Sequence, residues 1–203
     1  DNLVVFTKNL NRILNYDKEN GLITVEPGVQ LIEIFQKTLE DNWALMACPG
    51  GAAVTIGGAV SNNVHGKDTW NYGSFANQVV AFKILLASGE IRHIDKNEGP
   101  EIFKAVLGGM GLLGFITEIT LQLRKVKSPY VQSNICCVAN LDKLLHQLDS
   151  LKHNHDSLVG WMDWTARGKH LGRGLISFGK WSEKPTQVSQ QELDKSVNAI
   201  KNT

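Results

Sequence analysis

The sequence predicts an α+β fold in two parts, and three observations predict it. Short β-rich runs and stretches of helical periodicity follow one another up to about residue 125. Glycine-rich breaks punctuate that half. After the Lys125-Val-Lys-Ser-Pro129 run the order changes to strand, helix, strand, strand, which suggests a sheet with a helix on one face. With 203 residues, 42% of them hydrophobic and 20% charged, the chain can bury a core in one large domain or two small ones.

The elements follow in order. Leu3-Val4-Val5-Phe6 is a short apolar run and reads as a strand, as does the stretch 21–26, stopped by Pro27-Gly28. Leu31, Ile32, Ile34, Phe35 and Leu39 recur at three- and four-residue spacing with charges between them, which predicts a helix ended by Asn42 and Trp43. Residues 78–87 and 90–94 flank Ser88-Gly89 and read as a hairpin. Pro100 suits the first turn of a helix over 100–107, which Gly108-Gly109-Met110-Gly111 breaks. Stretch 115–123 alternates: Ile116, Glu118, Thr120 and Gln122 are expected on one face, and Phe115, Thr117, Ile119, Leu121 and Leu123 on the other.

The second part, 129–203 after a boundary near Ser128, reads as a strand over 130–138 and an amphipathic helix over 141–151. Strands over 158–164 and 174–178 follow, then a polar linker and a helix within 183–202. Trp161, Trp164 and Trp181 are expected in the sheet core. His153 and His155 fall in a polar run without a third ligand nearby and are expected in a surface turn rather than at a metal.

Charge and cysteine content exclude several classes of function. The 21 basic and 20 acidic residues leave a net charge of +1, so no basic field exists to attract nucleic acid. Cys48, Cys136 and Cys137 make neither a disulfide framework nor a zinc pattern, and a reducing, cytoplasmic setting is expected. No apolar run approaches the roughly 18 residues of a membrane span, and no signal peptide is visible. The chain opens at Asp1 without a methionine and closes at Lys201-Asn202-Thr203, and both ends are expected to be cuts.

The least ordinary stretch is 48–67, Cys-Pro-Gly-Gly-Ala-Ala-Val-Thr-Ile-Gly-Gly-Ala-Val-Ser-Asn-Asn-Val-His-Gly-Lys. Glycines let main-chain N–H groups approach an anion or a flat ring without side chains in the way. Here the first pair is expected to make a tight turn, and Gly57-Gly58 to open a helix whose amides face a phosphate or a ring carbonyl. Tight turns alone more often explain such glycine richness. Gly109-Met110-Gly111-Leu112-Leu113-Gly114 matches a dinucleotide fingerprint by letter. It lies after a helix and before a strand, the reverse of the required context, so it is rejected.

Pro49-Gly-Gly, Thr55-Ile-Gly-Gly-Ala-Val-Ser-Asn-Asn-Val-His-Gly-Lys67 and Gly73-Ser-Phe75 come in that order. Leu85-Leu-Ala-Ser-Gly-Glu-Ile91 and Gly108-Gly-Met-Gly-Leu-Leu-Gly-Phe-Ile-Thr117 follow them. Together these blocks resemble the FAD-binding domain of the vanillyl-alcohol oxidase/para-cresol methylhydroxylase (PCMH) type. The likeness is greatest to the decaprenylphosphoryl-β-D-ribose 2-oxidase group, with sugar-lactone and alditol oxidases near it. It runs from Asp1 to about Pro129 and loosely on to Trp181.

The resemblance implies an FAD-binding PCMH-type domain over 1–128, lacking its first phosphate loop, and the start of a substrate-binding cap domain over 129–203. It implies FAD along Gly50, Thr55, Ile56, Gly57 and Gly58, bordered by Asn62, Asn63, Val64 and His65, with Ile116 at the adenine end. It implies oxidation of a secondary alcohol on a sugar or lipid-linked sugar phosphate by hydride transfer to flavin N5, with peripheral membrane association through a lipid substrate. His65 would be the base or a donor to the substrate hydroxyl, and Lys67 a cation for substrate phosphate, the preferred role, or for the negative charge on reduced flavin. Without the resemblance, the two read as a helix-end histidine and a solvated charge. An oxygen-using sugar-lactone or alditol oxidase is an alternative, and an inactive binding module is another. Cys48 reads as a small buried hydrophobe, and Trp70 and Tyr72 as gates of a substrate channel.

Overall fold

The computed structural model describes residues 6, 7 and 9–183, which fall into two compact units divided between Val126 and Lys127. The strand expected at Leu3-Val4-Val5-Phe6 and the linker and helix expected within 183–202 lie almost wholly outside the described residues. Among those residues no helix is long and apolar enough to cross a membrane.

The first unit is built on a five-stranded antiparallel sheet. Its elements in chain order are β1 (Ile13–Asp17), β2 (Leu22–Val25), α1 (Leu31–Thr38), β3 (Trp43–Ala44), α2 (Ile56–Ser61), α3 (Thr69–Tyr72), β4 (Val79–Leu85), β5 (Ile91–Asp95), α4 (Pro100–Val106), β6 (Phe115–Gln122) and β7 (Arg124–Lys125). The sheet order is β1-β2-β6-β4-β5, and β3 pairs separately with β7. The helices close one core with it: Leu31 and Ile34 from α1, Ile56, Ala59 and Val60 from α2, and Phe103 and Val106 from α4 cluster with Ile23, Val25, Phe82, Ile84, Ile119 and Leu121. Phe82 and Phe103 stack with ring centroids 5.4 Å apart.

The hairpin and both helices of this half lie where the periodicity puts them. Asn42 ends the α1 segment in the left-handed conformation at φ 58°, which asparagine tolerates better than most residues. The expected alternation along 115–123 is corrected. Lys83 faces Glu118, but the next residue, Ile84, faces Ile116, so Thr117 is an extra residue in a bulge. The bulge flips the parity and puts Ile116 on the buried face with Ile119 and Leu121. The short strands β1, β3 and β7 and the single turn α3 lack enough residues for a periodic signal, and the sequence does not announce them.

The second unit holds β8 (Val131–Val138), α5 (Leu141–Lys152), β9 (Ser157–Met162) and β10 (Gly174–Trp181), with sheet order β8-β10-β9. Helix α5 starts on Asn140, whose side chain accepts from the Lys143 N–H, and packs Leu144 and Leu148 over Ile176, Leu158 and Phe178. Two tryptophans depart from the expected core. Trp161 is two-thirds exposed because it points away from α5. Trp164 rides a turn in which the Asp163 carboxylate accepts from Thr165 and Ala166 N–H groups, and it is exposed as well. His155 packs edge-on against Phe178 and bonds the Leu151 carbonyl through Nδ1, a structural place. Among the described residues no group of side chains could hold a metal ion.

One ion pair, between an exposed guanidinium and a buried carboxylate, fixes the turn on which the site rests. Glu26, at the end of β2, is buried and takes the Arg12 guanidinium through Nη2 at 2.7 Å and the Arg12 N–H at 2.8 Å. These bonds to Arg12 hold its carboxyl below the ordinary value of 4.5. A depressed carboxyl stabilises the fold above that value and loses the contribution as pH falls through the lowered one. Urea unfolding midpoints taken from about pH 6 to about pH 3 are expected to fall with acid in the wild type, and Glu26→Gln is expected to be less stable at neutral pH and to fall less.

Candidate functional site

The stretch 46–68 wraps the rim of the first unit, and its glycines have different duties. Buried Gln78 grips the approach: its Oε1 accepts from the Met46 N–H at 2.8 Å and its Nε2 donates to the Ala47 carbonyl at 3.2 Å. At Gly50 and Gly51 an added Cβ would meet nothing within 4 Å, and neither N–H has a hydrogen-bond partner among the described residues. The tight turn expected there is open to solvent.

Helix α2 differs from expectation. It starts at Ile56, one residue before the glycine pair, and Thr55 caps it by accepting from the Gly58 N–H through Oγ1. The Ile56 N–H bonds the Val29 carbonyl at 2.8 Å, and the Gly57 N–H bonds the Pro27 carbonyl at 2.8 Å. All three first-turn amides are therefore taken, and none is left for a phosphate, which corrects the expectation of outward-facing amides. Gly57 serves close approach instead, since a Cβ there would lie 2.6 Å from Pro27 Cβ.

The Asn-Asn-Val that follows is a helix stop. Asn63 is left-handed at φ 44°, the Asn63 N–H bonds Val60 and the Val64 N–H bonds Ala59, both at 3.0 Å. That pattern is the Schellman end of a helix. The Asn63 Oδ1 also accepts from the Ala76 N–H, and the Asn62 amide donates to the Gly58 carbonyl. Val64 leads directly to His65, which is exposed, as is Lys67. Between them Gly66 passes so close to the 48–49 segment that a Cβ would sit 1.8 Å from the Cys48 carbonyl oxygen. Burial pushes the Cys48 thiol up to about 11, so it stays protonated and unreactive near neutral pH. Tyr72 is held in place: the Arg124 Nη1 donates to its hydroxyl at 2.6 Å, and the guanidinium lies over its ring.

A cavity of about 570 Å³ opens beside α2. One wall is Thr55, Gly57, Gly58 and Ser61; the facing wall is the 111–116 loop and strand start; Leu85, Leu86 and Ala87 complete it with Pro27. The loop is docked on the helix end, with the Gly108 N–H on the Val60 carbonyl and the Met110 N–H on the Ser61 carbonyl. The cavity thus brings together Thr55, Gly57, Gly58 and Ile116 of the expected cofactor residues. Gly50, Asn62, Asn63, Val64, His65 and Lys67 do not line it, and the Ile56 side chain is wholly in the core. Ser61, Gln78 and the apolar Leu85-Leu86 edge belong to the site without having been singled out. Only Gln78 carried a signal, a polar residue heading an apolar strand. The volume lies within the roughly 300–1,000 Å³ of small-molecule sites. A wall with no side chain at Gly57, Gly58 and Gly111 suits a flat, largely apolar group.

Residues 1–95 match the family described as FAD binding domain. Over 197 residues the chain is 31% identical to decaprenylphosphoryl-beta-D-ribose oxidase of Mycolicibacterium smegmatis, a match covering 94% of this chain and 43% of that protein. It is 32% identical over 126 residues to D-lactate dehydrogenase of Anaerostipes hadrus, covering 60% and 26%. Over 122 residues it is 30% identical to L-gulonolactone oxidase of Mus musculus, covering 60% and 28%. The chain spans less than half the length of these relatives.

The contrast between two glycines tests this geometry. Gly66→Ala is expected to cost about 3 kcal/mol through the collision with Cys48, whereas Gly50→Ala, in open space, is expected to stay within about 0.5 kcal/mol of wild type. Denaturant midpoints of the two variants decide it.

Proposed function

Because the chain carries an FAD-binding domain of the vanillyl-alcohol oxidase/PCMH type, whose cofactor is FAD, we propose that the protein oxidises a secondary alcohol on a sugar or lipid-linked sugar phosphate. The observation that carries this reading is the 570 Å³ cavity, walled by bare glycines, within residues of that domain and its continuation. The relative named as a decaprenylphosphoryl-ribose oxidase aligns over 94% of the chain, against 60% for the relative named as a lactone oxidase, which favours the sugar-phosphate class.

In this reading Thr55, Gly57, Gly58, Ser61 and Ile116 hold part of the cofactor by shape, since the helix amides behind them are already bonded. The bound flavin supplies a two-electron acceptor for hydride. The His65 imidazole takes the substrate hydroxyl proton. The Lys67 ammonium is a point charge for a substrate phosphate. Both side chains are exposed and lie on one short loop after α2, so a substrate reaching them needs no rearrangement of the core. The second unit, described over 127–183, belongs to the substrate-binding domain.

Ser61→Trp puts a large ring into the cavity without touching the main-chain bond to Met110. Titration with FAD, followed by flavin fluorescence, is expected to show affinity at least about ten-fold lower with an unchanged melting temperature; wild-type affinity would move the cofactor elsewhere. In the flavin-loaded enzyme, His65→Ala is expected to slow reduction by substrate about 100-fold, read by stopped-flow absorbance. Unchanged kinetics would remove His65 from the reaction.

A further inference from the structure

Beside His65 and Lys67 lies a carboxylate with no part in the reaction above. Asp68 is only 7% exposed, although it follows an exposed lysine and precedes a half-buried residue. Its Oδ1 accepts from the Cys48 N–H at 3.3 Å. A buried carboxylate costs free energy unless its lone pairs are used. Burial pushes this one upward, while the Cys48 amide, Arg124 and Lys67 pull the other way. The position is therefore maintained by specific partners.

One further contact joins the same two strips of chain, and other bonds brace each strip separately. Gly66 lies against the Cys48 carbonyl with no room for a Cβ. The Thr69 hydroxyl donates to the Gly66 carbonyl at 2.7 Å and accepts from the Gly66 N–H at 3.0 Å, which folds the loop back on itself and turns Asp68 inward. On the other strip, Gln78 holds Met46 and Ala47, so the Cys48 N–H is the next donor in line and Asp68 is its acceptor. The strip held in this way runs straight into the open Gly50-Gly51 turn. The loop that holds it carries His65 and Lys67.

We propose that Asp68 is a positioning residue: it locks the 48–51 turn to the 65–67 loop, fixing the spacing between two strips that the FAD reading puts beside the cofactor. The lock is a property of the chain itself, and its part in cofactor binding rests on the FAD reading above. Asp68 touches neither cofactor nor substrate and acts through the Cys48 amide. The role needs an acceptor at Oδ1 and not a charge, so asparagine can replace it and alanine cannot.

The experiment compares wild type, Asp68→Asn and Asp68→Ala in the full-length protein by amide hydrogen exchange without FAD, and then by FAD titration. Asp68→Ala is expected to raise exchange across 48–51 and 65–69 about ten-fold and to weaken FAD by a similar factor, with other segments unchanged. Asp68→Asn is expected to stay within about two-fold of wild type in both readouts. Rescue by asparagine separates positioning from charge. Wild-type exchange in Asp68→Ala, or an asparagine variant as impaired as the alanine one, overturns the proposal. Should the alanine variant fail to fold, Asp68→Ser, whose shorter side chain falls short of the Cys48 amide, takes its place under the same criteria. If exchange responds as expected but wild-type protein takes up no FAD, the lock stands and the FAD reading falls. If FAD binds and exchange does not respond, the reverse holds.

Discussion

The contact on which the first unit's cavity depends is the approach of Gly57 to Pro27. The Gly57 N–H bonds the Pro27 carbonyl at 2.8 Å, and no side chain fits between the two segments. Pro27 belongs to the turn that ends β2, and Arg12 and Glu26 clamp that turn through side-chain and main-chain bonds. Since β2 is paired on both sides, by β1 and β6, the start of α2 inherits the position of a strand inside the sheet. A wall that must meet a ligand to within fractions of an ångström is then supported by the most rigid part of the unit.

The six residues of α2 would not form a stable helix alone, because nucleating a helix costs more than so few hydrogen bonds return. Its ends are therefore tied. Thr55 caps the start, Asn63 and Val64 close the end, and the last carbonyls are taken by Gly108 and Met110. That second tie matters for function. It bonds two glycine-rich segments far apart in sequence, and the cavity is the space left between the helix and the loop that continues from Met110. Left-handed backbone at Gly108, Met110, Gly111 and Gly114 lets the loop turn away from the helix after docking on it.

Much of this architecture was legible in the sequence. The hairpin around Ser88-Gly89, the proline-started helix α4 and the amphipathic α5 each carry a local signal that tertiary packing did not override. The bulge at Thr117 was not legible, because parity in a strand depends on the partner's register, and nothing in 115–123 marks one residue as extra. Trp161 shows the same limit from another side, whereas Trp164 falls in the turn after β9. A large apolar residue in a strand signals burial only when both faces are covered, and here α5 covers one. At the site, Thr55, Gly57, Gly58 and Ile116 of the glycine motif and the later strand meet around one cavity. The residues that hold the 46–48 strip, Gln78 and Asp68, were not legible in that role, because their importance lies in main-chain donors that a sequence does not display.

The glycines themselves carry the least expected lesson. They suggested free amides waiting for an anion, yet Ile56, Gly57 and Gly58 spend theirs on Val29, Pro27 and Thr55. What the glycines supply at this wall is the absence of side chains. A surface of that kind recognises a ring by shape and dispersion and gives little to a phosphate, because the helix dipole has no unsatisfied N–H through which to act. Charge recognition must therefore come from other groups. Within the described part of this stretch, candidates include the N–H groups of Gly50 and Gly51 and the ammonium of Lys67, on two strips of chain that Cys48, Gly66 and Asp68 hold together. In the FAD reading, shape recognition and charge recognition fall to separate segments of one motif, and the short contact between Gly66 and Cys48 fixes the two charge-bearing strips against each other.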